Sequence, residues 1–249
     1  INLISLMIKN NGLSIVIPTL QEQKNLSKLI PKIYKLVKVK NFEVIVVDDN
    51  SKDGTENYIR EFKKSKKKVN LKCLVRKNLT NDLSKSCVKG FEKSKYNFIL
   101  VMDGDGQHDP KYINKLYKII ISQEYDVVVG VRDLFSSKQT KLSFLRINMS
   151  RIITLIINFL FGFKTSDPMS GFFIFKKNIY NSNKKLLFKK GYKILFDLIT
   201  VNQKLKIYDL KINFLIRKSG FSKLNFKIVK ILINHIFFKI LLKQEIKKT

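Results

Sequence analysis

Through residues 13–130, short runs of Val, Ile and Leu alternate with longer stretches in which apolar residues recur every three or four positions. The short runs at 13–18, 43–48, 71–76, 97–103 and 126–130 read as strands. Each is rich in β-branched residues and bounded by turn formers, the form taken by strands buried on both faces. The stretches at 23–39, 55–68, 84–93 and 112–122 read as helices. This alternation predicts βαβ units wound on both sides of a mostly parallel sheet, an α/β fold flanked by helices. Past Arg132 the rhythm changes to a long helical stretch at 142–161, a strand at 171–175, and a basic, aromatic C-terminal region. Neither a linker composition nor a repeat interrupts the chain, so residues 1–249 read as a single domain with halves at 13–132 and 133–249.

Composition adds a question about partners. A chain of 249 residues with 45% hydrophobic residues has enough apolar material for a full core. Its formal net charge of +30 points to an anionic partner: nucleic acid, an anionic membrane or a phosphorylated substrate. The bias toward Lys, Asn and Ile also supplies surface lysine without function, and the lysines at 63–68 read as a solvated helix end. No apolar run approaches the roughly 18 residues of a membrane-spanning helix. The nearest, 152–163 and 228–242, are short or broken by Lys and His. Within 142–163 apolar residues alternate with Arg146, Asn148, Arg151 and Asn158, as in a helix lying in a membrane interface. The opening 1–12 lacks the layout of a signal peptide, and Cys73 and Cys87 lack the spacing of a metal or redox motif. Both thiols are expected to be reduced and structural, in a protein peripheral on the cytoplasmic face of a membrane.

The acidic residues carry the chemistry. In parallel α/β sheets ligands bind beyond the carboxyl ends of the strands, so residues just past separate strands share one crevice. Here the second strand ends in Asp48 and Asp49, and the fourth in Asp103-Gly104-Asp105-Gly106-Gln107, in a chain with 19 acidic and 49 basic residues. Carboxylates gathered on one rim repel one another unless a cation is shared. Asp103, Asp105 and Gln107 offer hard oxygens suited to Mg2+ or Mn2+, with glycines leaving room for a diphosphate. Ser51, Asp53 and Thr55 also suit a turn and helix start, so the loop after Asp48 is expected to be shaped by its own side chains. His108 follows the ligand positions inside a turn and reads as structural; His235 lies on an apolar helical pattern and reads as packed or interfacial.

These motifs together resemble family 2 glycosyltransferases of the GT-A fold, and within them the dolichol-phosphate mannose synthase and polyprenol-phosphate glycosyltransferase group. Pro18-Thr19-Leu20-Gln21-Glu22 resembles that group's Pro-Thr-Tyr-Asn-Glu loop, with Leu20 and Gln21 in place of Tyr and Asn. Asp48 to Thr55 resembles its second nucleoside loop, and Asp103 to Pro110 its metal motif. Gly130-Val131-Arg132 resembles Gly-Ser-Arg, and Asp167 to Phe172 resembles Asp-x-x-Ser-Gly-Phe. Arg217 with Gly220 to Leu224 resembles Arg-x-x-Gly-x-Ser-Lys-Leu, while Asp197 stands where Glu is frequent. The resemblance implies that 13–132 binds a nucleotide-sugar, GDP-mannose foremost and a UDP-sugar as the alternative. It implies that 133–249 meets a dolichyl or polyprenyl phosphate at a membrane surface. Donor contacts would come from Pro18, Thr19, Glu22, Asp48, Asp49, Asp103, Arg132, Arg217 and Lys223; Asp105, Arg132 and Arg217 would carry catalysis. Arg146 is a further phosphate-binding candidate. A phosphate acceptor is already largely anionic near neutral pH, so a strong general base is not needed. Transfer to a polysaccharide is disfavoured by the absence of any Trp, because such enzymes usually carry a Gln-x-x-Arg-Trp-like motif. A nucleic-acid module would leave the acidic strand ends unexplained, and intact Asp103, Asp105 and Gln107 argue against an inactive homologue.

Overall fold

A computed structural model describes residues 11–66, 68–77, 80–122, 124–132, 154–162, 165–191, 193–202, 204–215, 231 and 233–241. Seven strands form one sheet in the order β3-β2-β1-β4-β6-β5-β7. They are β1 (Leu13–Thr19), β2 (Phe42–Asp48), β3 (Leu71–Val75), β4 (Phe98–Val101), β5 (Val127–Arg132), β6 (Phe173–Lys176) and β7 (Ile207–Ile212). The helices are α1 (Gln23–Leu36), α2 (Thr55–Ser65), α3 (Leu83–Lys93), α4 (Ile113–Ile121), α5 (154–161), α6 (Lys177–Asn183), α7 (Ile194–Thr200) and α8 (233–241). A short 3-10 turn, Pro110–Tyr112, leads into α4.

The apolar strand runs are continuous because both faces of the sheet are covered. On one face Leu13, Ile15 and Ile17 of β1 and Val44 and Val46 of β2 meet α1, α2 and α4. On the other, Val16, Ile45 and Val47 meet α3, α6 and α7. Parallel pairing joins β1 to β2 and β4, β2 to β3, and β5 to β7. β6 runs antiparallel to both its neighbours, β4 and β5. This reversal matters for the site, since it brings the start of β6 to the edge where the other strands end.

Several expected boundaries shift. α1 stops at Leu36 because Val37 turns extended while its N–H still bonds Ile33 O. α2 stops at Ser65 for the same kind of reason, with Lys66 N–H on Phe62 O. The lysines beyond it, Lys66 and Lys68, are exposed, as a solvated helix end requires. Of the expected helix at 142–161, the part at 154–161 is helical and the rest lies outside the described residues. Cys73 sits on β3 and Cys87 on α3, both unpaired. Burial and the nearby Asp48 charge push the Cys73 thiol up to about 12, and burial pushes Cys87 up as well, so neither is a ready nucleophile.

At the opposite end of β2 from the acidic rim, Glu43 is fully buried. It accepts from Ser14 Oγ at 2.7 Å and Lys95 N–H at 2.6 Å, and pairs with Lys72 Nζ at 2.7 Å. One carboxylate thereby ties β1, β2, β3 and the turn before β4. Glu43→Ala would leave those donors without their acceptor and should cost about 3 kcal/mol of stability. A lowered urea midpoint with unchanged slope checks this.

Candidate active site

Because β1, β2 and β4 are parallel neighbours, their carboxyl ends lie on one edge, and Thr19 is paired directly with Asp48 across the β1–β2 ladder. Pro18 lies one position earlier, opposite Val47. The backbone then laces the two loops together: Asp49 N–H donates to Thr19 O at 2.9 Å, Gln21 N–H to Ser51 Oγ at 2.7 Å, and Gln23 N–H to Asp53 Oδ2 at 2.9 Å. Asp53 also takes the Thr55 N–H at 3.1 Å, so the turn chemistry expected of this loop is present. Gln21 and Asn50 both have left-handed backbones, with φ of 58° and 63°. Asn tolerates that region better than most residues, which gives a physical reason for the Asn usual at the position of Gln21. Glu22 caps the start of α1 in sequence and accepts from the Asn25 side chain.

The acidic pair is engaged in shaping the edge. Asp48 accepts the Ser51 N–H at 3.0 Å and its hydroxyl. Asp49 pairs with Arg76, itself only 3% exposed, and accepts the Asp82 N–H at 2.6 Å. Burial pushes both carboxyls up, incompletely offset by the Ser51 hydrogen bonds at Asp48 and by the Asp82 N–H and Arg76 at Asp49. Sequence reading did not single out Arg76 or Asp82. The only hint was an arginine at the end of a strand that is otherwise apolar.

Asp103 lies past the end of β4. Its N–H donates to His108 Nδ1 at 3.0 Å, which leaves the ring proton on Nε2, 3.9 Å from Asp103 Oδ2. His108 is buried, stacked on Phe172 at 4.9 Å with Phe214 edge-on at 5.1 Å. The structural role expected of it is therefore met, and it is directed at Asp103. Asp105 accepts the Gln107 N–H at 3.0 Å, and the Gln107 side chain lies 3.5 Å from Leu215 O.

The reversed β6 completes the edge. Val101 at the end of β4 pairs with Phe173 at the start of β6, so the segment Ser170-Gly171-Phe172 arrives beside Asp103. A β-carbon at Gly171 would sit 2.6 Å from Asp103 Oδ2, so the glycine lets the carboxylate pack directly against the backbone. Ser170 Oγ donates to Gly130 O at 2.8 Å, fixing the segment to β5 near Arg132. β7, which the sequence pattern did not reveal, ends level with Arg132 and sends Leu215 to donate to Gln107 O at 2.8 Å. Arg217 follows two residues later. The Arg132 side chain, and Arg146, Arg217 and Lys223 entirely, lie outside the described residues.

One buried polar atom on this edge has no partner among the described residues: Thr19 Oγ1, on a residue 5% exposed. It lies 3.2 Å from where a β-carbon at Gly104 would stand. The Ile17 and Leu26 side chains lie 3.5 Å from that same point, so the hydroxyl is an unsatisfied polar atom against the core at the end of β1. The donor set fits a divalent cation, since Asp103 and Asp105 supply oxygen alone. In the absence of ligand, Thr19→Val keeps the β-branched shape and removes the orphaned hydroxyl. It should raise stability by about 1 kcal/mol in chemical denaturation. A loss of stability would show that the hydroxyl is satisfied in the free protein.

The same stretch of chain is what known proteins share with it. The sequence pattern of Glycosyl transferase family 2 matches residues 14–183. A dolichol-phosphate mannosyltransferase of Pyrococcus furiosus is 31% identical over 231 residues, covering 90% of this chain and 62% of that protein, so the chain spans less than two thirds of that relative. The dolichol-phosphate mannosyltransferase of Saccharomyces cerevisiae is 28% identical over 231 residues, covering 87% of this chain and 82% of that one. In fold, the chain is similar to glucosyl-3-phosphoglycerate synthase from Mycobacterium tuberculosis, crystallised with Mn2+, uridine-diphosphate-glucose and phosphoglyceric acid. That likeness has a TM-score of 0.73 at 17% identity, over 94% of this chain and 82% of that one. The matched residues run from β1 through α6 and include the strand-end edge with Thr19, Asp48, Asp103 and Gly171; the chain belongs to glycosyl transferase family 2.

Proposed function

We propose that this chain transfers a sugar, mannose from GDP-mannose, to a dolichyl or polyprenyl phosphate at the cytoplasmic face of a membrane, inverting the anomeric centre. The observation that carries the reading is the gathering at one sheet edge of the ends of β1, β2 and β4, with Thr19, Asp48 and Asp103 at them and the Gly171 backbone against Asp103. The similarity to two dolichol-phosphate mannosyltransferases supports the lipid acceptor.

Asp103, Asp105 and Gln107 would hold Mg2+ or Mn2+, which when bound neutralises a diphosphate leaving group. Among the described residues no group of three or more His, Cys, Asp or Glu side chains is arranged to hold a metal. A two-carboxylate set of this kind needs the ligand's own phosphate oxygens, which couples cation binding to donor binding. Asp48 and Asp49, already bonded to Ser51 and Arg76, act by shaping the nucleoside loop with Pro18, Thr19 and Glu22. Arg132, at the end of β5, and Arg217 and Lys223, in the stretch that follows Leu215, are the cations for the donor and acceptor phosphates. Bidentate guanidinium groups suit that task.

A lipid acceptor requires a surface that meets the bilayer. Among the described residues no helix is long and apolar enough to cross a membrane. α5 and α8 instead share an inner core around Ile157, Phe161 and Phe196, with Ile236 and Ile240 packed on it. Their outer sides expose Leu155 and Phe159, at 67% and 90%, and Ile233 and Phe237, at 60% and 62%. Two adjoining helices with apolar outer sides, in a chain of net charge +30, suit peripheral seating on anionic lipid.

Two experiments follow. Purified chain given radiolabelled GDP-mannose, or in parallel UDP-glucose, with dolichyl phosphate should place label in the organic phase only when Mg2+ or Mn2+ is present. Asp105→Ala should lower that rate at least about 100-fold. Label reaching only water-soluble glycans would replace the lipid acceptor, and label from UDP-glucose alone would replace the donor. Phe159→Ser combined with Phe237→Ser should weaken partition onto phosphatidylserine-containing vesicles about tenfold; unaltered partition would place the bilayer contact elsewhere.

A further inference from the structure

Away from the strand-end edge, three ionisable residues are buried together: Asp197 on α7, and His235 and Lys239 on α8. Lys239 Nζ lies 2.6 Å from Asp197 Oδ1 and donates to Leu186 O at 3.0 Å, while His235 Nε2 is 3.4 Å from the same Oδ1. Asp197 also accepts two backbone N–H groups, from Phe188 at 2.9 Å and from Lys189 at 2.8 Å. Burial alone pushes this carboxyl up, but the nearby His235 ring and the Lys239 charge outweigh it and hold the group below its usual range. It is an anion at neutral pH.

The backbone that Asp197 grips leads to the candidate active site. Gly191 N–H donates to Asp82 Oδ2 at 2.8 Å, and Gly191 O accepts the Ser84 N–H at 2.9 Å. Asp82 N–H in turn donates to Asp49 Oδ2 at 2.6 Å, the carboxylate that pairs with Arg76. A polar line thus runs from Lys239 through Asp197, the backbone at 188–191 and Asp82 to the loop at the end of β2. Apolar residues could fill the volume of a buried ion pair without loss of stability, so stability alone does not account for Lys239.

We propose that Asp197 and Lys239 are positioning residues for the donor site. By fixing the 188–191 backbone and, through it, Asp82 and Asp49, they couple the seating of α8 to the binding of a nucleoside diphosphate. This rests on the reading of the β2 end as the nucleoside loop. The coupling is reciprocal: whatever α8 contributes to nucleotide affinity, the nucleotide returns as firmer seating of α8.

A double-mutant cycle read by calorimetry, with GDP and Mn2+ as the probe, tests the route. Lys239→Met should weaken GDP binding about tenfold in the native background and less than about twofold in an Asp82→Asn background. Because Lys239→Met leaves Asp197 without its cation, the wild-type chain supplies a second measurement. Adding GDP and Mn2+ should slow amide hydrogen exchange in both 188–191 and 233–241. Equal weakening in the two backgrounds, unchanged GDP affinity in a folded Lys239→Met protein, or unaltered exchange in α8 would each overturn the coupling. Absence of binding by the wild-type chain to GDP and, in parallel, to UDP, each with Mn2+, would overturn the nucleoside-loop reading itself, and the coupling with it.

Discussion

The carboxylate of Asp103 packs directly against the backbone of Gly171, its Oδ2 2.6 Å from where a β-carbon would stand, and the rest of the edge is arranged around that contact. It requires β6 to run against its neighbours, so that the chain enters the sheet beside the place where β4 leaves it. It also requires Phe172 to be buried under His108, whose ring fixes the Asp103 backbone from the other side. A parallel sheet by itself collects strand ends at one edge. The one reversed strand adds a backbone wall there, packed directly against the Asp103 carboxylate.

The same reasoning explains how the acidic loop after β2 is built. Two adjacent aspartates on a largely buried edge resist ionisation, and each is given its own set of donors: Ser51 for Asp48, Arg76 and the Asp82 N–H for Asp49. Asp49 reaches into α3 through Asp82, and α3 into the loop before α7 through Gly191. The edge at the end of β2 and α8 are therefore joined through one polar frame, although they stand far apart in the sequence. Met169, two residues before Gly171, packs against the core that α5 and α8 share.

Much of this was legible in the chain. Parallel strands buried on two faces announce themselves as continuous Val and Ile runs, so β1 to β5 and the helices between them were found within a few residues. The acidic positions at the ends of β2 and β4 were equally plain, because so few carboxylates occur elsewhere. What escaped has physical reasons. α6 and α7 are seven residues each, too short to establish a helical period. β7 alternates apolar and polar residues as an edge strand does, but it sits among lysines and pairs with a strand far back in the chain. The direction of β6 is a property of its partners and not of its own residues. Arg76 with Asp49, and Lys239 with Asp197, are pairings across long sequence separations that no local pattern encodes.

The central claim is that the strand-end carboxylates hold a diphosphate through a shared divalent cation, and electron paramagnetic resonance of Mn2+ tests it most directly. Titrating the chain into Mn2+ should leave the free-ion signal nearly intact until GDP is added, then remove about one equivalent, and Asp103→Asn should abolish that loss. Uptake of Mn2+ that ignores GDP, or survives Asp103→Asn unchanged, would contradict the account.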